Sequence, residues 1–295
     1  MKHNIIRGSI VALVTPFLPN GEVNYDKLGE LVDFHLENQT DALLILGTTG
    51  ESSTMSHEED DEVCRYVVKR VAKRIPVIAG SGSNSTQTML EKSKSFEAIG
   101  VDGLLLITPY YNKTNEEGMY LHFKTVADAV SIPCILYNVP GRTGCAISEH
   151  NVCRLAQHPN IIGIKEASGD ITYAAKIARH LSEDFVMYSG NDDMIVSMMS
   201  LGCAGIISVL ANVLPKETHD MVFDYLNGDM EKAKEAQLRY LDLVGALFAE
   251  VNPIPVKEAL NLMGMEVGGY RLPLTAPTQA TRERLKKAMK EAGLL

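Results

Sequence analysis

Cysteine is scarce in this 295-residue sequence, positive charge is in deficit, and no long apolar run occurs. The five cysteines (Cys64, Cys134, Cys145, Cys153, Cys203) are odd in number and scattered, with no C-x-x-C pair. That argues against a disulfide framework or a structural zinc site, and for a reducing compartment. Lysine and arginine total 28 against 37 acidic residues, a formal net charge of −9. Such a surface repels nucleic acid and anionic membrane, so neither is an expected partner, and any anionic substrate must be drawn in by local groups. Residues 1–20 lack an apolar core behind a basic start, Pro16 and Pro19 interrupt them, and no later window approaches a membrane span. A cytosolic protein is expected. No G-x-G-x-x-G follows the first apolar run, which weighs against an open dinucleotide-binding sheet.

What is present is ordinary for a globular enzyme: hydrophobic residues make up 45% and charged residues 22%, which excludes wholesale disorder. Short apolar runs recur at 9–14, 42–46, 77–79, 103–107, 134–137, 162–165, 186–189 and 205–209. Segments with helical spacing lie between them, among them 25–37, 58–72, 86–98, 117–129, 173–181 and 193–200. Alternating strand and helix calls for a parallel sheet, because each crossover needs a helix to return the chain. Eight repeats predict a closed (β/α)8 TIM barrel over residues 1–225. From residue 216 onward the patterns are helical, with a long helix predicted at 229–250, a shorter one at 255–263 and a closing one at 277–292. Residues 226–295 are therefore expected to form a C-terminal helical region packed on the barrel. No low-complexity linker marks a second independent domain.

In such a barrel the site lies where the strands end. Lys165 closes the β-branched run Ile161-Ile162-Gly163-Ile164-Lys165, placing an amine where a buried strand meets solvent. An amine drawn partly out of water holds its charge less well and offers a lone pair to a carbonyl. Alone, a lysine there reads rather as a side chain reaching for solvent, or as a partner of Glu166. Its company changes that reading. The same rim carries Gly47-Thr48-Thr49-Gly50-Glu51, Tyr110-Tyr111, Tyr137-Asn138-Val139-Pro140-Gly141-Arg142-Thr143-Gly144, Gly190-Asn191 and Ile207-Ser208. The glycine-bracketed threonines bring backbone N–H groups and hydroxyls near an anion, a suitable cradle for a carboxylate. Phenols near the amine can move protons during carbinolamine formation and dehydration. The Arg142 fork matches a second carboxylate. No set of metal ligands stands among them, and the histidines His57, His122, His150 and His219 are read as surface residues on helices or helix ends.

These segments, together with Gly163-Ile164-Lys165-Glu166 and Asn252-Pro253-Ile254-Pro255-Val256-Lys257, closely resemble the dihydrodipicolinate synthase family. That family belongs to the class I pyruvate aldolase superfamily, which also contains N-acetylneuraminate lyase. The resemblance spans essentially the whole chain. It implies a lyase of lysine and diaminopimelate biosynthesis that condenses pyruvate with L-aspartate 4-semialdehyde. Lys165 would form the Schiff base, Tyr137 would move protons at it, and Thr48 would relay between Tyr137 and Tyr111, the latter reaching across from a neighbouring subunit. Thr49 would hold the pyruvate carboxylate and Arg142 the semialdehyde carboxylate, with main-chain groups at Gly190 and Ile207 near the substrate. The resemblance implies no cofactor, and a homotetramer built as a dimer of dimers.

Family members inhibited by L-lysine bind it at the dimer interface, and Ser52, Ser53, His57, Asn84 and Tyr110 match that candidate site. Asp60 and Thr88 stand where sensitive enzymes often carry histidine and glutamate, so weak inhibition is expected. Two rivals remain. An aldolase for a sugar acid needs polar residues for hydroxyls, which a guanidinium at Arg142 suits less well. A non-catalytic ligand sensor on the same fold would be expected to have lost Lys165 or Tyr137.

Overall fold

The computed structural model describes residues 3–295, and in it each apolar run becomes a strand. These are β1 (Gly8–Ala12), β2 (Ala42–Ile45), β3 (Val77–Gly80), β4 (Gly103–Ile107), β5 (Cys134–Asn138), β6 (Ile161–Glu166), β7 (Val186–Ser189) and β8 (Gly205–Ser208). They pair in parallel in chain order, and β1 closes on β8 with Ile10 opposite Ile207. The closed (β/α)8 barrel is thus as the alternation predicts.

Both faces of the sheet are dry, which is why the strands are apolar throughout rather than alternating. In β2, Ala42 and Leu44 join the cluster filling the barrel, while Leu43 and Ile45 pack outward on the helices. The inner cluster is completed by residues such as Ile10, Ile78, Leu105, Ile135, Tyr188 and Ile207. Around the barrel run α1 (Tyr25–Glu37), α2 (His57–Val71), α3 (Thr86–Ile99), α4 (Glu116–Ala127), α5 (Pro140–Thr143), α6 (Glu149–Leu155), α7 (Ile171–Ala178), α8 (Ile195–Met199) and α9 (Pro215–Leu226). Helix α2 starts on a reciprocal cap: the Glu59 N–H donates to Ser56 Oγ, and the Ser56 N–H donates to Glu59. No helix of the described residues is long and apolar enough to cross a membrane.

One irregularity decides where the chemistry can occur. Between β5 and β6 the register runs Cys134↔Ile161 and then Ile135↔Gly163, so Ile162 is an extra residue on β6. Ile161 faces the helices, Ile162 faces the barrel interior, and Ile164 faces the helices again. Strict alternation from an inward Ile162 would turn Ile164 in and Lys165 out. The bulge re-phases the strand, so that Lys165 lies opposite the inward residues Tyr137 and Tyr188.

After α9 come α10 (Met230–Arg239), α11 (Leu241–Leu247), α12 (Ile254–Leu262) and α13 (Gln279–Glu291). The single long helix expected at 229–250 is two helices that break at Tyr240. The two halves answer to different neighbours. In α10, Gln237 accepts from the Val196 N–H at 3.2 Å and donates to the Asp192 carbonyl at 2.8 Å, whereas α11 turns to pack on α13. His122, expected at the surface, is buried and bonded to Thr86 Oγ1 at 2.8 Å, and burial holds its ring near a pKa of about 4.

Candidate active site

The loop after β2 is shaped by crowding. A side chain at Gly80 would place its first carbon 2.4 Å from the Leu46 carbonyl oxygen, so β3 can pass this loop only as glycine. Gly50 donates its N–H to the Gly47 carbonyl at 3.0 Å, and Glu51 donates to Thr48 at 3.2 Å. Glu51 adopts a left-handed backbone and sends its carboxylate inward to the Lys257 ammonium, 2.8 Å away, both side chains being almost completely buried. Desolvation pulls Lys257 below its ordinary range and Glu51 raises it again. Removing either partner would strand a buried charge, at a cost of about 3–5 kcal/mol. The pair thereby clamps the threonine loop against α12.

The turn after β5 is one helical turn, α5, closed by Gly144 in the left-handed region. It presents Arg142 to solvent and lets its Nη2 donate to the Asn252 carbonyl at 3.3 Å. Asn252 in turn donates its Nδ2 to Thr49 Oγ1 at 2.9 Å. The segment leading into α12 therefore ties together the loops after β2 and β5.

Lys165 is 6% exposed, and its Nζ stands 4.6 Å from the centre of the Tyr137 ring. Among the described residues no hydrogen bond or ion pair engages that Nζ. Glu166 does not pair with it: the carboxylate turns away and accepts from Asn138 Nδ2 at 2.6 Å and from the Ser168 N–H at 2.7 Å, while burial raises its pKa. Asp192 is a buried carboxylate whose pKa burial raises. Against that act donation from Ser208 Oγ at 2.5 Å and from the Val209 and Leu210 N–H groups, and the charge of Lys165. The amine is left free inside a cavity of about 180 Å³ that it shares with Thr48, Thr49, Tyr137, Arg142 and Gly190. A space of that size takes an acid of a few carbons, not a nucleotide.

The remaining candidates lie elsewhere. Ile207 faces the barrel interior one position below the rim, and Val209 is the β8-side residue that reaches the cavity. Tyr111 is 93% exposed, with a left-handed backbone, and does not line the cavity around Lys165. Ser52, Ser53, His57 and Tyr110 line a second cavity of about 280 Å³ together with Asp60, Thr88 and Lys92. Asn84 stands beside it, donating to the Tyr110 carbonyl at 3.2 Å. Gly47, Thr48, Leu105 and Tyr137 line both cavities, forming a shared wall. Phe248 and Asn252 also line the smaller cavity, although no strand end signals them. The motif containing Asn252 was visible in the sequence, but its place in the site was not.

A sequence model of the dihydrodipicolinate synthetase family matches residues 5–292. A 4-hydroxy-tetrahydrodipicolinate synthase of Caldicellulosiruptor saccharolyticus is 57% identical over 290 residues, covering 98% of each chain. A solved dihydrodipicolinate synthase of Acinetobacter baumannii, chloride-inhibited and complexed with pyruvate, superposes with a TM-score of 0.96 at 45% identity over 99% of this chain and 100% of that one. One from Cyanidioschyzon merolae with lysine bound gives 0.96 at 42% identity over 98% and 99%. With a lysine amine re-phased into a barrel cavity beside a tyrosine and a threonine loop, and with similarity running the length of the fold, the chain belongs to the dihydrodipicolinate synthetase family.

Proposed function

We propose that this chain is a 4-hydroxy-tetrahydrodipicolinate synthase, which condenses pyruvate with L-aspartate 4-semialdehyde through a Schiff base on Lys165. The observation that carries the reading is the unpaired, buried Lys165 amine facing Tyr137 in a small cavity bordered by Thr49 and Arg142. The amine adds to the pyruvate ketone, and loss of water gives an iminium that draws electrons from the methyl carbon. Loss of a methyl proton yields an enamine, which attacks the aldehyde of the second substrate. That substrate's own amine then displaces Lys165 and closes the ring. Tyr137, whose ring lies against the amine, shuttles protons at the carbinolamine, and Thr48 on the shared wall relays them. Thr49 holds the pyruvate carboxylate, and Gly190 borders the same space. Ile207 serves through its main chain from the layer beneath.

Tyr111 completes the relay of a neighbouring subunit, consistent with its standing almost wholly clear of its own chain. The proposed assembly is a homotetramer of paired dimers in the cytoplasm, serving diaminopimelate and lysine biosynthesis. A coupled assay of pyruvate with aspartate semialdehyde, run beside N-acetylneuraminate cleavage, tests the reading: turnover of the first pair alone supports it, and cleavage of the sugar acid alone refutes it.

Arg142 holds the semialdehyde carboxylate at the mouth of the cavity. Arg142→Ala is expected to cost on the order of 2–4 kcal/mol in kcat/KM for the semialdehyde, while the pyruvate imine still forms. Equal damage to both substrates, measured by varying each in turn, would mean that Arg142 only supports the α5 turn.

Inhibition by L-lysine is expected to be weak. Thr88 supplies only a hydroxyl in the larger cavity, and the Asp60 carboxylate that lines it is paired with Lys92 at 2.8 Å, both groups nearly buried. A hydrogen bond to a charged group is worth about 1.5–3 kcal/mol, so its loss weakens binding roughly ten- to a hundredfold. Half-maximal inhibition below about a millimolar in the same assay would contradict this reading of the cavity.

A further inference from the structure

The loop that borders the Lys165 cavity is bent at both ends into a conformation that side chains disfavour. Leu46 has φ 55° and Glu51 φ 56°, both in the left-handed region, and neither is glycine. Between them stand Gly47, Thr48 and Thr49, all of which line the cavity. Strain of this kind persists only where the surroundings impose it, and it gathers where a site has to be held in one shape. The proposed cradle for the pyruvate carboxylate is such a place.

The two bends are imposed in different ways. At Leu46 the means is packing. Its side chain is buried, its carbonyl oxygen occupies the space that a side chain at Gly80 would need, and Gly50 lies close against its backbone. Thr15 Oγ1 then donates to the Gly50 carbonyl at 2.7 Å.

At Glu51 the means is charge. Its Oε1 accepts from Lys257 Nζ at 2.8 Å and its Oε2 from the Arg271 N–H at 3.4 Å, so both oxygens are engaged. Lys257 is fixed in its turn, with Nζ 4.3 Å from the centre of the Phe17 ring and 5.4 Å from that of Tyr270. Beyond Glu51, the Arg271 guanidinium donates to the Thr54 carbonyl at 3.0 Å and to Glu59 at 2.9 Å. A carboxylate held against a buried ammonium cannot swing away without stranding that charge, so the backbone that carries it cannot relax. Asn252 adds a second tie to the same loop, through Thr49, from the segment that leads into α12.

We infer that Glu51 and Lys257 are positioning residues for pyruvate: the buried pair keeps the loop in its strained turn and so aims the Thr48 and Thr49 donors at the substrate carboxylate. Neither side chain lines the cavity, and both act through the loop. The inference rests on the functional reading above and deepens it, by assigning pyruvate recognition a support outside the site. A pair that served stability alone would be dispensable once both charges were removed together. A pair that shapes the cradle would not.

The test compares full-length wild type with Glu51→Gln/Lys257→Met, which removes both charges and roughly preserves the bulk. Thermal melts, the KM of each substrate and the pyruvate concentration that half-saturates borohydride trapping at Lys165 are measured. With no charge left stranded, the melt should stay close to that of wild type. The pyruvate KM and the half-trapping concentration should nevertheless both rise roughly ten- to a hundredfold, the scale on which a displaced positioning group is felt. The KM of the semialdehyde should move by less than about threefold, the scale of a remote substitution. If that variant does not fold, Glu51→Leu/Lys257→Met, apolar at both positions, replaces it with the same expectation.

A pyruvate KM and half-trapping concentration within about threefold of wild type would reduce the pair to a stabilising contact and overturn the inference. A parallel rise for both substrates would overturn it too, as general loosening of the barrel rim. Absence of a pyruvate imine at Lys165 in the wild type would overturn the functional reading itself, and the two failures are thereby told apart.

Discussion

Lys165→Met lowers turnover of pyruvate and aspartate semialdehyde by roughly 10⁴–10⁶-fold, the scale on which loss of a covalent nucleophile is felt. The effect should fall on kcat, because methionine keeps most of the bulk while removing the atom that bonds to substrate. Stability should change little. Lys165 Nζ has no ion-pair or hydrogen-bond partner among the described residues, and the buried Asp192 carboxylate that feels its charge keeps its donors at Ser208, Val209 and Leu210. Steady-state rates and thermal melts of wild type and variant check both halves. Residual activity within tenfold of wild type, an arbitrary but generous bound of about 1.4 kcal/mol, would show that another group carries the bond.

Tyr137→Phe and Tyr111→Phe are expected to lower kcat by about 10²–10⁴-fold each, the usual worth of a positioned proton-transfer group. Phenylalanine preserves the ring that Tyr137 packs among the inner cluster, and the 4.6 Å approach of Lys165 to its face. What it removes is the hydroxyl. The two variants differ in what they test. The proposed role of Tyr137 lies within its own chain, whereas that of Tyr111, 93% exposed on its own chain, lies in a neighbouring subunit. A change confined to KM would mean that these phenols bind substrate and move no protons.

Much of this was legible in the sequence because barrels write their architecture in short apolar runs at regular intervals. The eight runs and the threonine, tyrosine, arginine and lysine segments at their ends are local signals, and each fell at a strand terminus. What stayed hidden depends on register and on distant packing. The inward aim of Lys165 comes from an extra residue in β6, which no periodicity in 161–166 announces because both faces are apolar. Asn252, Phe248 and Lys257 reach the site or its supporting loop from beyond the eighth strand, across some two hundred residues of chain. The break at Tyr240 has a similar origin. Helical spacing continues through it, and only the separate partners of α10 and α11 force the turn. His122 carries a polar label into a buried position because Thr86 supplies its hydrogen bond.

The central claim is that the free amine of Lys165 forms an imine with pyruvate. Treating the intact chain with pyruvate and borohydride, then mapping the modified peptide by mass spectrometry, tests it directly. The account predicts one reduced pyruvate adduct, on the peptide carrying Lys165 and absent from Lys165→Met. No adduct would contradict it. So would an adduct on Lys257, whose ammonium is sealed against Glu51 at 2.8 Å and on this account never meets substrate.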